Sequence, residues 1–102
     1  MARNDWNLEQ ARAAYNIAHW SSGYFDVDER GHLIARPKAD TAGGVIDLHE
    51  LTERIRAHGL STPVLVRFID VLHHRIDVLH GAFTAAMAKL DYRGAYSPVY
   101  PI

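Results

Sequence analysis

The last forty residues constrain the fold most. Pro63-Val64-Leu65-Val66-Arg67-Phe68 is a short apolar run with β-branched content. A long amphipathic stretch follows at once, and then a second extended run over 96–102. A nearly continuous apolar strand belongs in a parallel sheet covered on both faces. Ile69, Leu72, Ile76, Leu79, Phe83, Met87 and Leu90 recur every three or four residues, which predicts one helix over 69–90. Such a helix is on the order of 30 Å long. Asp91-Tyr92-Arg93-Gly94 ends it, and the last run reads as a strand despite Pro98 and Pro101. Strand, helix, strand is a βαβ unit, and its two parallel strands need neighbours on both edges. The expectation is an α/β chain that stops inside a sheet.

Upstream the signals are local. Asn7 is placed to cap a first helix, with Gln10 at capping-box spacing. Leu8, Ala11, Ala14 and Tyr15 would form its apolar stripe, and the helix should stop near Asn16 or Ile17. Gly23 to Val27 reads as a strand, Asp28-Glu29-Arg30-Gly31 as a turn, and His32 to Arg36 as the return strand, closed by Pro37. The loop Pro37 to Gly44 is the best boundary. A second helix begins at Asp47, again with Glu50 at capping-box spacing. Leu48, Leu51 and Ile55 form its stripe, and Gly59 supplies its stop. Arg54, Arg56 and His58 lie where the helix dipole favours cations.

Composition then removes whole classes. The chain has 102 residues and no cysteine, which excludes disulfide scaffolds, zinc fingers and thiol catalysis. Its net charge of −1 argues against a basic nucleic-acid binder and leaves no polybasic membrane patch. No run approaches the roughly 18 apolar residues of a membrane span. The polar start Met1-Ala2-Arg3-Asn4-Asp5 lacks a signal-peptide core. The expected compartment is the cytoplasm, with neither nucleic acid nor membrane as partner.

Few residues carry a chemical pattern. His73, Asp77 and His80 share one flank of the long helix, a spacing able to hold zinc. Nothing supplies a fourth ligand, so the polar shoulder of an amphipathic helix is the simpler reading, and no metal site is assigned. Asp26-Val27-Asp28-Glu29 lacks the spaced ligands of a calcium loop and reads as a solvated turn. Trp20, Tyr24 and Phe25 could stack on a ring-shaped ligand, but such a cluster is more often sheet core. Gly43-Gly44 is too short for a phosphate loop. Arg67 stands out because it sits at the C-terminal end of an apolar strand, the end that faces the active site in barrel and open α/β folds. The alternative for Arg67 is a plain ion pair with Asp70.

Taken in order, Tyr15-Asn16-Ile17, Trp20, Gly23-Tyr24-Phe25-Asp26-Val27, Gly31-His32, Pro37 and Ile46-Asp47-Leu48 with Leu51 form one pattern. Pro63-Val64-Leu65-Val66-Arg67-Phe68, Asp70, Leu72, Arg75, Ala82-Phe83, Tyr92-Arg93-Gly94, Tyr96 and Val99-Tyr100-Pro101-Ile102 continue it. From about Trp6 to Ile102 this pattern resembles the N-terminal segment of the biosynthetic arginine decarboxylases. These are pyridoxal-phosphate enzymes of the alanine-racemase-like, or type III, fold. Ser21-Ser22, Ile69 and Pro98 depart from what is usual there, and none of them replaces a known catalytic group.

The resemblance implies an N-terminal helix and hairpin over 1–44 and, over 45–102, the first β-α-β of a pyridoxal-phosphate-binding TIM-type barrel, incomplete. It implies a parent that converts L-arginine to agmatine and carbon dioxide on the route to putrescine and spermidine. That parent would use pyridoxal phosphate and magnesium and would be a homo-oligomer. The cofactor lysine of the family directly follows Tyr-Pro-Ile, here Tyr100-Pro101-Ile102; Lys38 and Lys89 do not occupy that place. No catalytic residue is therefore expected in the segment, which alone would be inactive and bind no cofactor. Arg67 and Tyr100 are the candidates for lining the cofactor pocket. Two alternatives remain: another type III decarboxylase, for ornithine, lysine or diaminopimelate, or a small stand-alone α/β module that binds a protein partner.

Overall fold

The computed structural model describes residues 5–40, 42–99 and 101. Its ordered heart is an N-terminal unit of short helices against a small sheet. Helix α1 is Leu8–Ala14 and α2 is Ile17–Ser21. Strands β1 (Phe25–Val27), β2 (Leu33–Ala35) and β3 (Ile46–Asp47) form an antiparallel sheet in the order β1-β2-β3. Helices α3 (Leu48–Ala57) and α4 (Ile69–Lys89) follow.

Local chemistry explains the starts and stops. The Asn7 side chain accepts from the Gln10 backbone N–H at 2.8 Å, so α1 begins where the cap signal lies. It ends at Ala14, earlier than expected, and only Ala11 of its predicted stripe is buried. Tyr15 is exposed instead. The chain then restarts as α2, which no periodicity predicts, between two left-handed residues, Asn16 (φ 54°) and Ser22 (φ 52°). In the hairpin Phe25 faces Ala35 and Val27 faces Leu33. Gly31 turns the chain at φ 80°, in a region that costs glycine little.

The core is small: Ala11, Ile17, Tyr24, Val27, Ile34 and Ala35. The ladder continues past the Pro37–Gly44 loop, because Ile46 pairs with Ala35 and Asp47 with Ile34. The Asp47 side chain then caps α3 by accepting from the Glu50 N–H at 3.1 Å. Leu48, Leu51 and Ile55 are half-buried, as their spacing predicts.

The C-terminal half differs from expectation in one respect. Helix α4 forms where predicted. The runs on either side of it, residues 64–68 and 95–99, form no regular element and, among the described residues, join no sheet. A parallel strand cannot pair with itself, and among the described residues no partner strand lies beside either run. The fold is thus α/β with one small antiparallel sheet. The Ile69 to Leu90 stripe stays open to solvent, with Leu72, Ile76, Leu79 and Phe83 each about half exposed. The radius of gyration is 18.7 Å, against about 13 Å for a compact chain of this length.

Candidate functional site

Two clusters of polar residues emerge, both outside the long helix. The first is built on Asp26, for which the sequence predicts only a place in a solvated turn. In the structure β1 turns its carboxylate inward, leaving the residue 8% exposed. Arg12 of α1 grips it twice, Nε to Oδ1 at 2.8 Å and Nη2 to Oδ2 at 2.9 Å. Arg36 adds Nη2 at 3.2 Å, while its Nε is buried without a partner. The Arg12 hydrogen bonds hold the Asp26 carboxyl below the usual range against the opposing effect of burial, helped by the Val27 N–H. The cluster joins α1 to both strands of the hairpin.

The second cluster clasps the hairpin turn to the start of α3. Asp28 Oδ1 accepts the backbone N–H groups of Arg30 and His32, both at 2.9 Å. Arg30 reaches back to Asp28 and across to Asp47 and Glu50. His32 Nδ1 lies 2.7 Å from Asp47 Oδ2, and its ring packs on that of His49 with centroids 4.6 Å apart. Burial pushes the Asp28 and Asp47 carboxyls up. Hydrogen bonds outweigh it in both, from the His32 N–H and Arg30 for Asp28 and from His32 and the Glu50 N–H for Asp47.

Asp28, His32 and Asp47 are the one group of three potential metal ligands among the described residues, with ligand atoms within 4.8 Å of one another. The expected absence of a metal site turned on His73, Asp77 and His80, and that trio is not gathered in this way. Magnesium seeks near-octahedral oxygen ligands. Here Arg30 already binds both carboxylates, and each carboxylate also holds a backbone N–H. The set fits an ion-pair latch and does not fit magnesium. No spacing rule would have found it, since Asp47 lies 15 residues from His32 and meets it only through the β2–β3 pairing.

Of the residues expected to line a cofactor pocket, Arg67 is exposed, two residues before α4 begins. It borders a cavity of about 250 Å³ shared with Pro37, Ile46, Phe68, Ile69 and Asp70. Among the described residues it makes no ion pair, with Asp70 or any other acid. Tyr100 lies outside the described residues. Pyridoxal phosphate is held through a lysine amine, and neither Lys38, in the Pro37–Gly44 loop, nor Lys89, in the last turn of α4, borders this cavity. The described residues do not by themselves fit that cofactor.

Tyr24 is the aromatic residue that the hairpin buries. Its hydroxyl lies 2.7 Å from His74 Nδ1 on α4, and Phe25 meets Phe68 edge-on with centroids 5.8 Å apart. These contacts seat the long helix on the N-terminal unit. Trp20 remains about half exposed, tilted against Phe25.

No family model matches the chain. Curated proteins do. Over 99 residues it is 48% identical to the biosynthetic arginine decarboxylase of Xanthomonas campestris pv. campestris. It is 46% identical to that of Alkalilimnicola ehrlichii and 41% identical to that of Shewanella frigidimarina. Each match takes in 97% of this chain but only 15 or 16% of the relative.

Proposed function

We propose that this chain, similar along nearly its whole length to one segment of the biosynthetic arginine decarboxylases, serves as that segment of an enzyme releasing carbon dioxide from L-arginine to leave agmatine. The observation that carries the reading is a match that takes in 97% of the chain at 48% identity. The same proposal includes pyridoxal phosphate and magnesium in the whole enzyme, a place in putrescine and spermidine formation, a homo-oligomeric parent and the cytoplasm. Among the described residues no helix is long and apolar enough to cross a membrane.

The structure suggests a part for the segment in such an enzyme. The N-terminal unit holds α4 through Tyr24 on His74 and holds Phe68, just before it, through Phe25, and so sets where Arg67 emerges. Among the described residues no backbone hydrogen bond involves 64–67, and these N–H and C=O groups need partners if they are to be buried. Pyridoxal phosphate, when bound by a whole enzyme, supplies an electron sink; no residue described here is assigned a step in that chemistry. A stand-alone binding module is the second reading, favoured by the open apolar face of α4.

The test is replacement. The matching segment of the Xanthomonas enzyme is exchanged for this chain, and carbon dioxide release is measured from arginine, ornithine, lysine and diaminopimelate. Retained release from arginine alone supports the reading. A folded chimera that is inactive on arginine contradicts it, and release from another of the four amino acids reassigns the substrate.

A further inference from the structure

The clasp between the hairpin turn and α3 is short of positive charge. Asp28, Asp47 and Glu50 share one arginine, Arg30, and among the described residues no other lysine or arginine pairs with them. Three carboxylates against one guanidinium leave the cluster negative when His32 and His49 are neutral. The cation is also less enclosed than the groups it joins. The Arg30 side chain is 59% exposed, whereas those of Asp28, His32 and Asp47 are 22%, 25% and 7% exposed. The anionic groups are held in place, and the guanidinium between them has room to swing into solvent.

The backbone aims the donor atoms. Asp28 Oδ1 is taken by the N–H groups of Arg30 and His32, and Asp47 Oδ1 by that of Glu50. Oδ2 of each carboxylate is left facing one point, where Arg30 Nη2 bonds both. His32 Nδ1 adds an imidazole nitrogen 2.7 Å from Asp47 Oδ2. One donor atom from each of the three residues lies within 4.8 Å of the others. Zinc bonds of about 2 Å set tetrahedral ligands about 3.3 Å apart, so small side-chain rotations bring the set to that spacing. An imidazole beside two carboxylates suits zinc, whereas magnesium asks for oxygen ligands.

We propose that Asp28, His32 and Asp47 form a zinc site in which the ion and the Arg30 guanidinium exclude each other. Without zinc the cluster is the ion-pair latch described above. With zinc, Asp28 Oδ2, Asp47 Oδ2 and His32 Nδ1 are the protein ligands, water completes the tetrahedron and Arg30 turns outward. The His32 ring is then neutral, with its proton on Nε2. The backbone hydrogen bonds to the two Oδ1 atoms are kept, and they orient the carboxylates as outer partners do in metal sites. Three ligands and a competing arginine make the binding modest and reversible. The site lies wholly within the hairpin and the start of α3 and does not rest on the decarboxylase reading.

The test titrates the whole chain, first freed of metal with a chelator, with zinc chloride in a calorimeter. One equivalent should bind and raise the melting temperature. His32→Gln keeps a hydrogen-bonding side chain beside Asp47 and should weaken binding by more than about tenfold, since outer partners of a metal alone are worth about ten- to a hundredfold. Arg30→Gln, at an exposed side chain, removes the competing cation and should tighten binding severalfold. A chance contact of zinc with a surface histidine predicts no such gain. Replacing His73 and His80 together with alanine should leave the affinity unchanged. Circular dichroism without zinc checks that each variant is folded. Absence of saturable binding below millimolar zinc overturns the proposal. So does binding that is lost with His73 and His80 but kept in His32→Gln, or a folded Arg30→Gln chain that binds no more tightly than the unaltered one.

Discussion

Asp26 shows how one side chain can organise a small unit. Its carboxylate collects Arg12 and Arg36 from either side of the hairpin. Asp26→Asn keeps the shape and removes the charge, which should destabilise the N-terminal unit by about 2 kcal/mol, the scale of hydrogen bonds to charged groups. Urea unfolding followed by tryptophan fluorescence measures it. The pH dependence follows from the same group. Asp26, Asp28 and Asp47 all titrate below the ordinary range in the folded chain. Their contribution is therefore complete above the unfolded value of about 4 and is lost as pH falls through the folded values. The urea midpoint should stay level from neutrality down to about pH 5 and drop below about pH 4, with a shallower drop in Asp26→Asn. At the turn, Gly31→Ala forces a side chain to φ 80° and should cost about 1 kcal/mol, read as a lower melting temperature. Little of this was legible beforehand. The caps at Asn7 and Asp47 were, because a cap is written within four residues. The partners of Asp26 and Asp47 were not, because they depend on which strands pair.

Helices and strands differ in how much of them a sequence can carry. Helix α4 satisfies its own backbone, so its periodicity alone located it to within a residue, Ile69–Lys89 against an expected end at Leu90. Residues 63–68 have strand composition but no strand, because a parallel strand exists only by virtue of its neighbours. The two-residue β3 and the five-residue α2 escaped for the opposite reason: each is too short to show a period, and each is held by what it touches. Two consequences can be measured. The backbone N–H groups of Val64, Leu65 and Val66 should exchange with deuterium at nearly unprotected rates in the isolated chain, while those of β1 and β2 are protected. Asp47→Ala removes the cap of α3 and the anchor of both Arg30 and His32 together. It should lower helicity and free the hairpin turn, seen as faster exchange at Arg30 and His32.

At the scale of the molecule, the N-terminal unit is a folded anchor and the rest is a projecting surface. The long dimension is 66 Å against 25 Å for the shortest, and most of the large apolar side chains from Leu60 to Val99 are exposed. The chain spans about 15% of the length of the curated relatives it matches. Under the proposed function, residues 64–68 and the apolar face of α4 would be surfaces against which the remainder of a decarboxylase packs. Arg67 would then sit at the mouth of a strand rather than on an exposed segment. The isolated chain should accordingly retain no stoichiometric pyridoxal phosphate after gel filtration. Stoichiometric retention would mean that the described residues hold the cofactor after all.

The most direct measurement compares one segment in two settings. Deuterium exchange at Leu65 and Val66 is followed in the isolated chain and in the chimera carrying it within the Xanthomonas enzyme. The account predicts rapid exchange alone and strong protection in the chimera, as the run acquires strands on its edges. Equally rapid exchange in both, in a chimera that folds, would contradict it.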